Sequence, residues 1–345
     1  MDMELLEVLK IVAPGTELRT GLDNIINGKI GALIVVGNSK EVLDLVHDGF
    51  YINCEFTPSN LYELAKMDGG IILSNDCKKI LYANTQLLPC SLIISKETGT
   101  RHKTAERVAK QTNSLVIAVS ERRGVITLYK ANYKYILKEI NEILNKANQG
   151  VQTLERYKKT LDESLNNLNI LEFENAVTLY EVTKIIRKME MVWRIKNEID
   201  IYISELGIEG RLLNMQKIEL IDGLEKDRIN LIRDYSGDLS KDHFAIWDKI
   251  DKLSLEELLD LNRIANILGY DNGLDTLDIL VEPKGYRILG KIPRIPSNVL
   301  ENLINEFKSL QGIVNASTTK LREVEGIGQA RANMILQALR KHRKI

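Results

Sequence analysis

The stretch Thr100-Arg-His-Lys-Thr104 places two hydroxyls, two cations and an imidazole in five residues, directly after Gly99 and ahead of an amphipathic run. If a helix begins at Thr100, then Arg101, His102 and Lys103 fill its first turn, where aligned peptide dipoles already leave about half a positive charge. Asp or Glu would suit a purely structural helix there. A start with no acid fits an anion from outside, because first-turn N–H groups lack partners within the helix and phosphate oxygens accept from them. Thr100 and Thr104 are four apart, on one helical face, so both hydroxyls can reach the same anion. Two further polar segments adjoin apolar runs: Asp68-Gly69-Gly70 precedes Ile71, and Ser120-Glu-Arg-Arg123 follows Val119. An Asp-Gly pair alone is an ordinary turn former. Here three phosphate-compatible segments abut buried strands of one domain.

These segments need elements to hold them. Residues 31–37, 70–73, 79–88, 114–120 and 124–130 read as strands, with 114–130 a hairpin, while 61–67 and 104–112 have helical spacing and 133–147 reads as an exit helix. Residues 1–148 are therefore expected to form an α/β domain, a mixed sheet flanked by helices. From 149 to 282 the texture changes. No proline falls between Pro89 and Pro283, and Leu154, Leu161, Leu165, Leu168 and Leu171 recur at helical spacing before a second run, 182–206, stops at Gly207. This predicts an all-α spacer domain whose leucine stripe is core. Pro283, Pro293 and Pro296 open a third region, 283–345, with a basic end: Lys320, Arg322, Arg331, Arg340, Lys341, Arg343 and Lys344 against Glu323 and Glu325.

Bulk composition narrows the classes. A chain of 345 residues, 44% hydrophobic and 28% charged, suits a folded protein of two or three domains. Forty-seven Lys and Arg against 48 Asp and Glu give a net charge of -1, so any nucleic-acid surface is a local patch. Cys54, Cys77 and Cys90 lack metal-like spacing and read as free thiols of a reducing, cytoplasmic compartment. The N-terminal residues have neither a basic region nor a long apolar core, as a signal peptide would, and no run approaches a membrane span. No H-E-x-x-H, Walker A or dense carboxylate cluster points to a nuclease.

At the C-terminus, residues 321–335 read as a helix, a tight Gly326-Ile327-Gly328 turn and a second helix. Two glycines keep the peptide surface bare, so their N–H groups and the following helix start can approach a phosphate. Val324, Ile327 and Ile335 would pack the helices together, with Lys320 and Arg331 flanking the phosphate. This resembles the helix-hairpin-helix motif of DNA-binding proteins, which implies backbone contacts without sequence specificity. Ile292-Pro-Arg-Ile-Pro-Ser-Asn-Val299 reads as a degenerate first copy, a poor phosphate binder.

Asp68-Gly69-Gly70 and Arg101-His102-Lys103, about 30 residues apart, resemble the Asp-Gly-Ala and Arg-His-Arg hallmarks of the diadenylate cyclase family. Tyr82-Ala-Asn-Thr-Gln-Leu87, the run from Thr104 to Ala109 and Arg122-Arg-Gly-Val-Ile-Thr-Leu-Tyr129 extend the likeness, and the order cyclase, spacer, helix-hairpin-helix resembles its DNA-integrity scanning branch. The resemblance implies condensation of two ATP into cyclic di-AMP with release of two pyrophosphates. It implies catalytic roles for Asp68, Arg101 and His102, with Asp68 either a general base or a metal-associated group that orients the hydroxyl. Gly69, Gly70 and Leu87 would lie near adenosine, and Thr100, Arg101, His102, Lys103, Thr104, Ser120 and Arg123 near phosphates. Mg2+ or Mn2+ would be held through Asp68 and His102, and the assembly would be a homo-octamer that binds branched DNA. Two positions depart from the family. Gly70 replaces Ala, which could loosen the strand start but should leave room for a nucleotide, and Lys103 replaces Arg, keeping the charge while losing the bidentate fork; activity is expected to survive both. The alternative is a catalytically impaired, nucleotide-sensing DNA-binding scaffold.

Overall fold

The computed structural model describes residues 3–237, 242–271, 273 and 275–342; Arg343 and Lys344 of the basic end lie outside them. The chain separates into two compact units, Met1–Gln149 with Ile199–Asn214, and Gly150–Glu198 with Met215–Ile345.

The first unit is built on a mixed sheet. Its strands are β1 (Ala32–Val36), β2 (Val46–His47), β3 (Phe50–Glu55), β4 (Gly70–Leu73), β5 (Lys79–Leu87), β6 (Leu115–Ser120), β7 (Val125–Lys130) and β8 (Tyr133–Ile136), in the spatial order 2-5-4-1-6-7-8 with β3 also on β5. Only β1 and β4 run parallel; the other pairs are antiparallel. Ala-Leu-Ile-Val-Val of β1 is buried throughout, as expected for a central strand covered on both faces. Leu33 and Val35 pack with Val116, Ala118, Ala105, Val108 and Ala109, the last three from helix α5 (Thr100–Thr112). Ala32, Ile34 and Val36 share the opposite core with Leu18, Leu22, Ile25, Leu61 and Ala65. Those side chains come from α2 (Glu17–Asn27) and α4 (Pro58–Ala65), with α1 (Met3–Ile11) alongside; α3 (Lys40–Leu43) puts Val42 on the α5 side. Each fully buried Leu, Ile or Val contributes roughly 2 kcal/mol relative to exposure.

The five expected strands form, within a residue or two of their expected ends. The exit helix does not begin at 133. Residues 133–136 instead extend the sheet as β8, paired with β7 from Thr127↔Ile136 to Lys130↔Tyr133. Helix α6 then runs unbroken from Ile140 to Glu174, through Gly150. Helix α4 starts at Pro58, with the Thr57 hydroxyl accepting from Asn60 N–H, and ends at Ala65. Helix α5 extends four residues earlier than its apolar spacing suggests, to Thr100.

The second unit is helical. Leu154, Leu161, Leu165 and Leu168 of α6 are buried, with Val182, Ile185, Ile186, Met189 and Val192 of α7 (Leu179–Leu206); Leu171 is only half-buried. Short helices follow to the C-terminus, and Phe173 of α6 joins the core of Leu303, Leu310, Leu321 and Ile335. Buried charge also ties this region together. Asp234 accepts from the N–H groups of Gly285, Tyr286 and Arg287 at 2.7, 2.6 and 2.9 Å, while Glu172 pairs with the Arg287 guanidinium and accepts from the Tyr235 hydroxyl at 2.6 Å. Buried charges persist where such partners offset desolvation.

Candidate functional site

Strand register gathers the polar segments at one end of the sheet. Ala32↔Val119 and Leu33↔Gly70 set the start of β1 beside the end of β6 and the start of β4, and Gly70↔Thr85 adds the end of β5. Gly31, Asp68 to Gly70, Leu87 and Ser120 therefore share this end. Helix α5 opens there too, for the Arg101 guanidinium lies over Gly31: a Cβ at position 31 would fall 2.1 Å from its Nη1. Arg101 is half-buried, and among the described residues no carboxylate or hydrogen-bond acceptor engages it.

Asp68 stands exposed in the turn between α4 and β4. Its position is fixed by Gly69, whose φ of 101° excludes most side chains and whose Cβ would meet the Asn84 carbonyl carbon and Thr85 carbonyl oxygen at 2.8 Å. Gly70 sits close to its neighbours. A methyl there would come within 3.1 Å of Leu87 Cδ1 and 3.2 Å of Thr85 Oγ1, and that hydroxyl donates to the Gly70 carbonyl at 3.0 Å. The space of the missing methyl is filled.

At the helix start, Gly99 offers no capping side chain and the first turn holds no acid; the Lys103 N–H bonds to Gly99 O at 2.8 Å. Thr100 and Lys103 are exposed and Thr104 is half-buried. His102 is engaged, with Nδ1 3.0 Å from the buried Tyr129 hydroxyl. Glu97 lies close enough to influence the same hydroxyl and pairs with Lys134. When the Tyr129 hydroxyl donates toward Glu97 it accepts from Nδ1–H, and that tautomer carries its lone pair on Nε2. Burial would raise the Glu97 carboxyl, but Lys134 and the Tyr129 hydroxyl outweigh it and hold it low. Burial, then Glu97, pushes the Tyr129 phenol far up. The His102 imidazole is lowered by burial foremost, and Lys134, Arg101 and Arg123 add to this against Glu97. Ser120 is half-buried and its Oγ accepts from the Arg123 N–H at 3.3 Å, closing the β6–β7 turn; the Arg123 side chain is exposed.

Sequence reasoning missed Gly31, Thr85, Glu97 and Tyr129, and it missed how α5 holds the loop before it. Arg107 donates to Ile93 O and Ser91 O, both at 2.9 Å, and Lys110 to Ile94 O at 2.9 Å. Glu106 accepts from Ser95 Oγ at 2.5 Å and Lys96 N–H at 3.1 Å, and Gln111 from Cys90 N–H at 2.8 Å. Glu106 and Arg107 lie in the family-like run 104–109, which was the available signal. Among the described residues, no three His, Cys, Asp or Glu groups cluster as a ready metal site. The exposed Asp68 carboxylate and His102 Nε2 are the donors present.

In the second unit, Thr318–Glu323 and Gln329–His342 flank the glycine turn as expected, with Val324, Ile327 and Ile335 buried between them. The two glycines differ. Gly326 has φ 88° and a Cβ there would lie 2.7 Å from Val299 Cγ2, whereas a Cβ on Gly328 would meet nothing within 4 Å. Lys320 is exposed, and Arg331 donates to Gly326 O at 2.6 Å, bracing the turn. The upstream copy keeps the same backbone: after Tyr286–Leu289, Arg294 takes the left-handed φ of 64° and Ser297–Phe307 follows.

No described helix is long and apolar enough to cross a membrane. Residues 19–133 match the family described as DisA bacterial checkpoint controller nucleotide-binding, 137–277 its linker region, and 286–341 a SAM-like helix-hairpin-helix tandem. The chain is 52% identical over 342 residues to the DNA integrity scanning protein DisA of Clostridium botulinum (strain Eklund 17B), covering 99% of this chain and 96% of that one. It is 54% identical over 343 residues to the protein of that name from Clostridium perfringens (strain SM101), with the same coverage. A solved structure of DacA from Staphylococcus aureus is 23% identical, covers 41% of this chain and 91% of that chain, and gives a TM-score of 0.31.

Proposed function

Because this chain belongs to the DisA family of DNA integrity scanning proteins, we propose that it condenses two ATP molecules into cyclic di-AMP and binds DNA through its C-terminal hairpins. The observation that carries the first half is one sheet end that combines the exposed Asp68 carboxylate, an acid-free helix start and an Arg101 guanidinium without an anion partner. A triphosphate supplies the missing charge. Its oxygens accept from the open N–H groups of α5, from Thr100 and Thr104, and from Arg101, Lys103 and Arg123, with Ser120 at the edge. Gly69, Gly70 and Leu87 form the adenosine side, where bare backbone and one buried leucine leave room for a ring. Asp68 orients the ribose 3′-hydroxyl for in-line attack on the α-phosphate of the facing ATP and takes up its proton. His102, lowered by burial toward its neutral form and held against Tyr129, would turn an Nε2 lone pair toward a divalent ion and not toward phosphate oxygens, which only accept. Mg2+ or Mn2+, held by Asp68 with His102 beside it, would neutralise the leaving pyrophosphate when bound.

Cyclic di-AMP has two equivalent halves, so two copies must face each other, each supplying one ATP; an octamer satisfies this and multiplies the DNA-binding ends. Functionally the chain divides at 148 and 282 into cyclase, spacer and DNA-binding parts, and it works in the cytoplasm, where ATP and DNA meet. Branched DNA bound at the hairpins lowers synthesis.

The test is incubation of the purified protein with ATP and Mg2+ or Mn2+, with the product identified by mass spectrometry. Cyclic di-AMP is expected from the wild type and none from Asp68→Asn, which should still bind ATP. ATP binding without product in the wild type would replace this reading with that of a nucleotide-sensing scaffold, to which the Lys103 departure points.

A further inference from the structure

We propose that Gly31 is a positioning residue for the nucleotide site: its bare backbone is the seat that holds the Arg101 guanidinium at the sheet end. The inference deepens the ATP-site reading above and rests on it. Glycines at this end have distinct reasons to be glycine. Gly69 needs its positive φ and backs onto the Asn84 and Thr85 backbone, and Gly70 faces Leu87 and Thr85. Gly31 has no left-handed φ, so its backbone asks for no glycine. The three heavy atoms nearest a Cβ at 31 all belong to Arg101: Nη1 at 2.1 Å, Cζ at 2.7 Å and Nη2 at 3.0 Å. The guanidinium therefore occupies the volume of the missing side chain.

Packing of this kind positions a side chain that no hydrogen bond or ion pair holds among the described residues. Arg101 has no hydrogen-bond acceptor or counter-ion among the described residues, although it is half-buried and near His102. A partly desolvated guanidinium left unpaired is unfavourable until an anion arrives. Seating it in advance lowers the entropy lost when the fork closes on phosphate oxygens. A methyl at position 31 collides only with the mobile end of a long side chain. The fold can absorb it by moving Arg101, and the binding geometry is what is lost.

The experiment is a double-mutant cycle of Gly31→Ala and Arg101→Ala in the full-length protein, read by calorimetric ATP affinity, by KM and kcat for cyclic di-AMP formation, and by melting temperature. Gly31→Ala is expected to melt with the wild type, to weaken ATP binding and raise KM about tenfold, and to have no further effect once Arg101 is alanine. Wild-type affinity in Gly31→Ala, an equal loss in both Arg101 backgrounds, or a marked fall in melting temperature would each overturn the proposal. If instead the wild type neither binds nor converts ATP, the functional reading itself fails.

Discussion

His102 is where the local electrostatics become measurable. Burial first, and then the neighbouring Lys134, Arg101 and Arg123, lower its imidazole below the ordinary 6.5 despite Glu97. In the unfolded chain it titrates near about 6.5, so between that value and its lower folded one the unfolded state binds more protons. Stability is therefore fully present above about pH 6.5 and falls as the solution is made more acid. His243 in the second unit is lowered as well, chiefly by burial, so wild type must be compared with His102→Gln. The expected result is a melting temperature that falls less steeply from pH 7 to pH 5 in His102→Gln than in the wild type. Equal slopes would mean that another group titrates. The same residue shows what a sequence hides. Its place among Arg101 and Lys103 was legible from neighbours in the chain, but its partner Tyr129 is 27 positions away and is supplied by the fold.

Helix α5 does two jobs along its length. Its acid-free start is open to an anion, and Glu106, Arg107, Lys110 and Gln111 hold the preceding loop by six hydrogen bonds. The loop exposes Leu92 and Ile94 and only half-buries Ile93, so its order leans on these bonds. Arg107→Ala removes two of the bonds and is expected to speed hydrogen exchange and proteolysis across residues 90–96 while α5 remains helical. Unchanged protection would show that Lys110, Glu106 and Gln111 suffice. Elements of this sheet were legible where burial on both faces made the apolar run continuous, as in β1, β4 and β6. They were not where the pattern was ambiguous: Tyr133-Lys-Tyr-Ile136 fits both the alternation of a strand and the start of a helical period, and only pairing with β7 decides it. Strand β3 is largely exposed and borrows its order from β5 about 30 residues on, so its own residues carry little signal. The candidate site divides the same way. Asp68 and Thr100 to Thr104 announce themselves by type, whereas Gly31 and Thr85 matter through registers that only the folded sheet creates.

Across the whole chain, nucleotide and DNA chemistry are carried by different compact units, so each should be removable without the other. The two turn glycines make the DNA half testable more sharply than the motif alone does. Gly326 is required by the protein itself, through its φ of 88° and the Val299 contact. Gly326→Val should therefore cost stability, about 1–3 kcal/mol from strain and overpacking, and any loss of DNA binding would be confounded by it. Among the described residues no contact requires a glycine at 328, because a Cβ there meets open space. On the proposed function, a glycine here serves close approach of a phosphate backbone to the turn and to the start of Gln329–His342. Gly328→Val is expected to melt with the wild type, to weaken binding to duplex and branched DNA of any sequence, and to form cyclic di-AMP normally when DNA is absent. Asp68→Asn should give the converse, with DNA affinity intact and no product. A Gly328→Val protein that binds DNA as tightly as the wild type would make the hairpin a packing device, and the DNA surface would have to be sought elsewhere on the second unit.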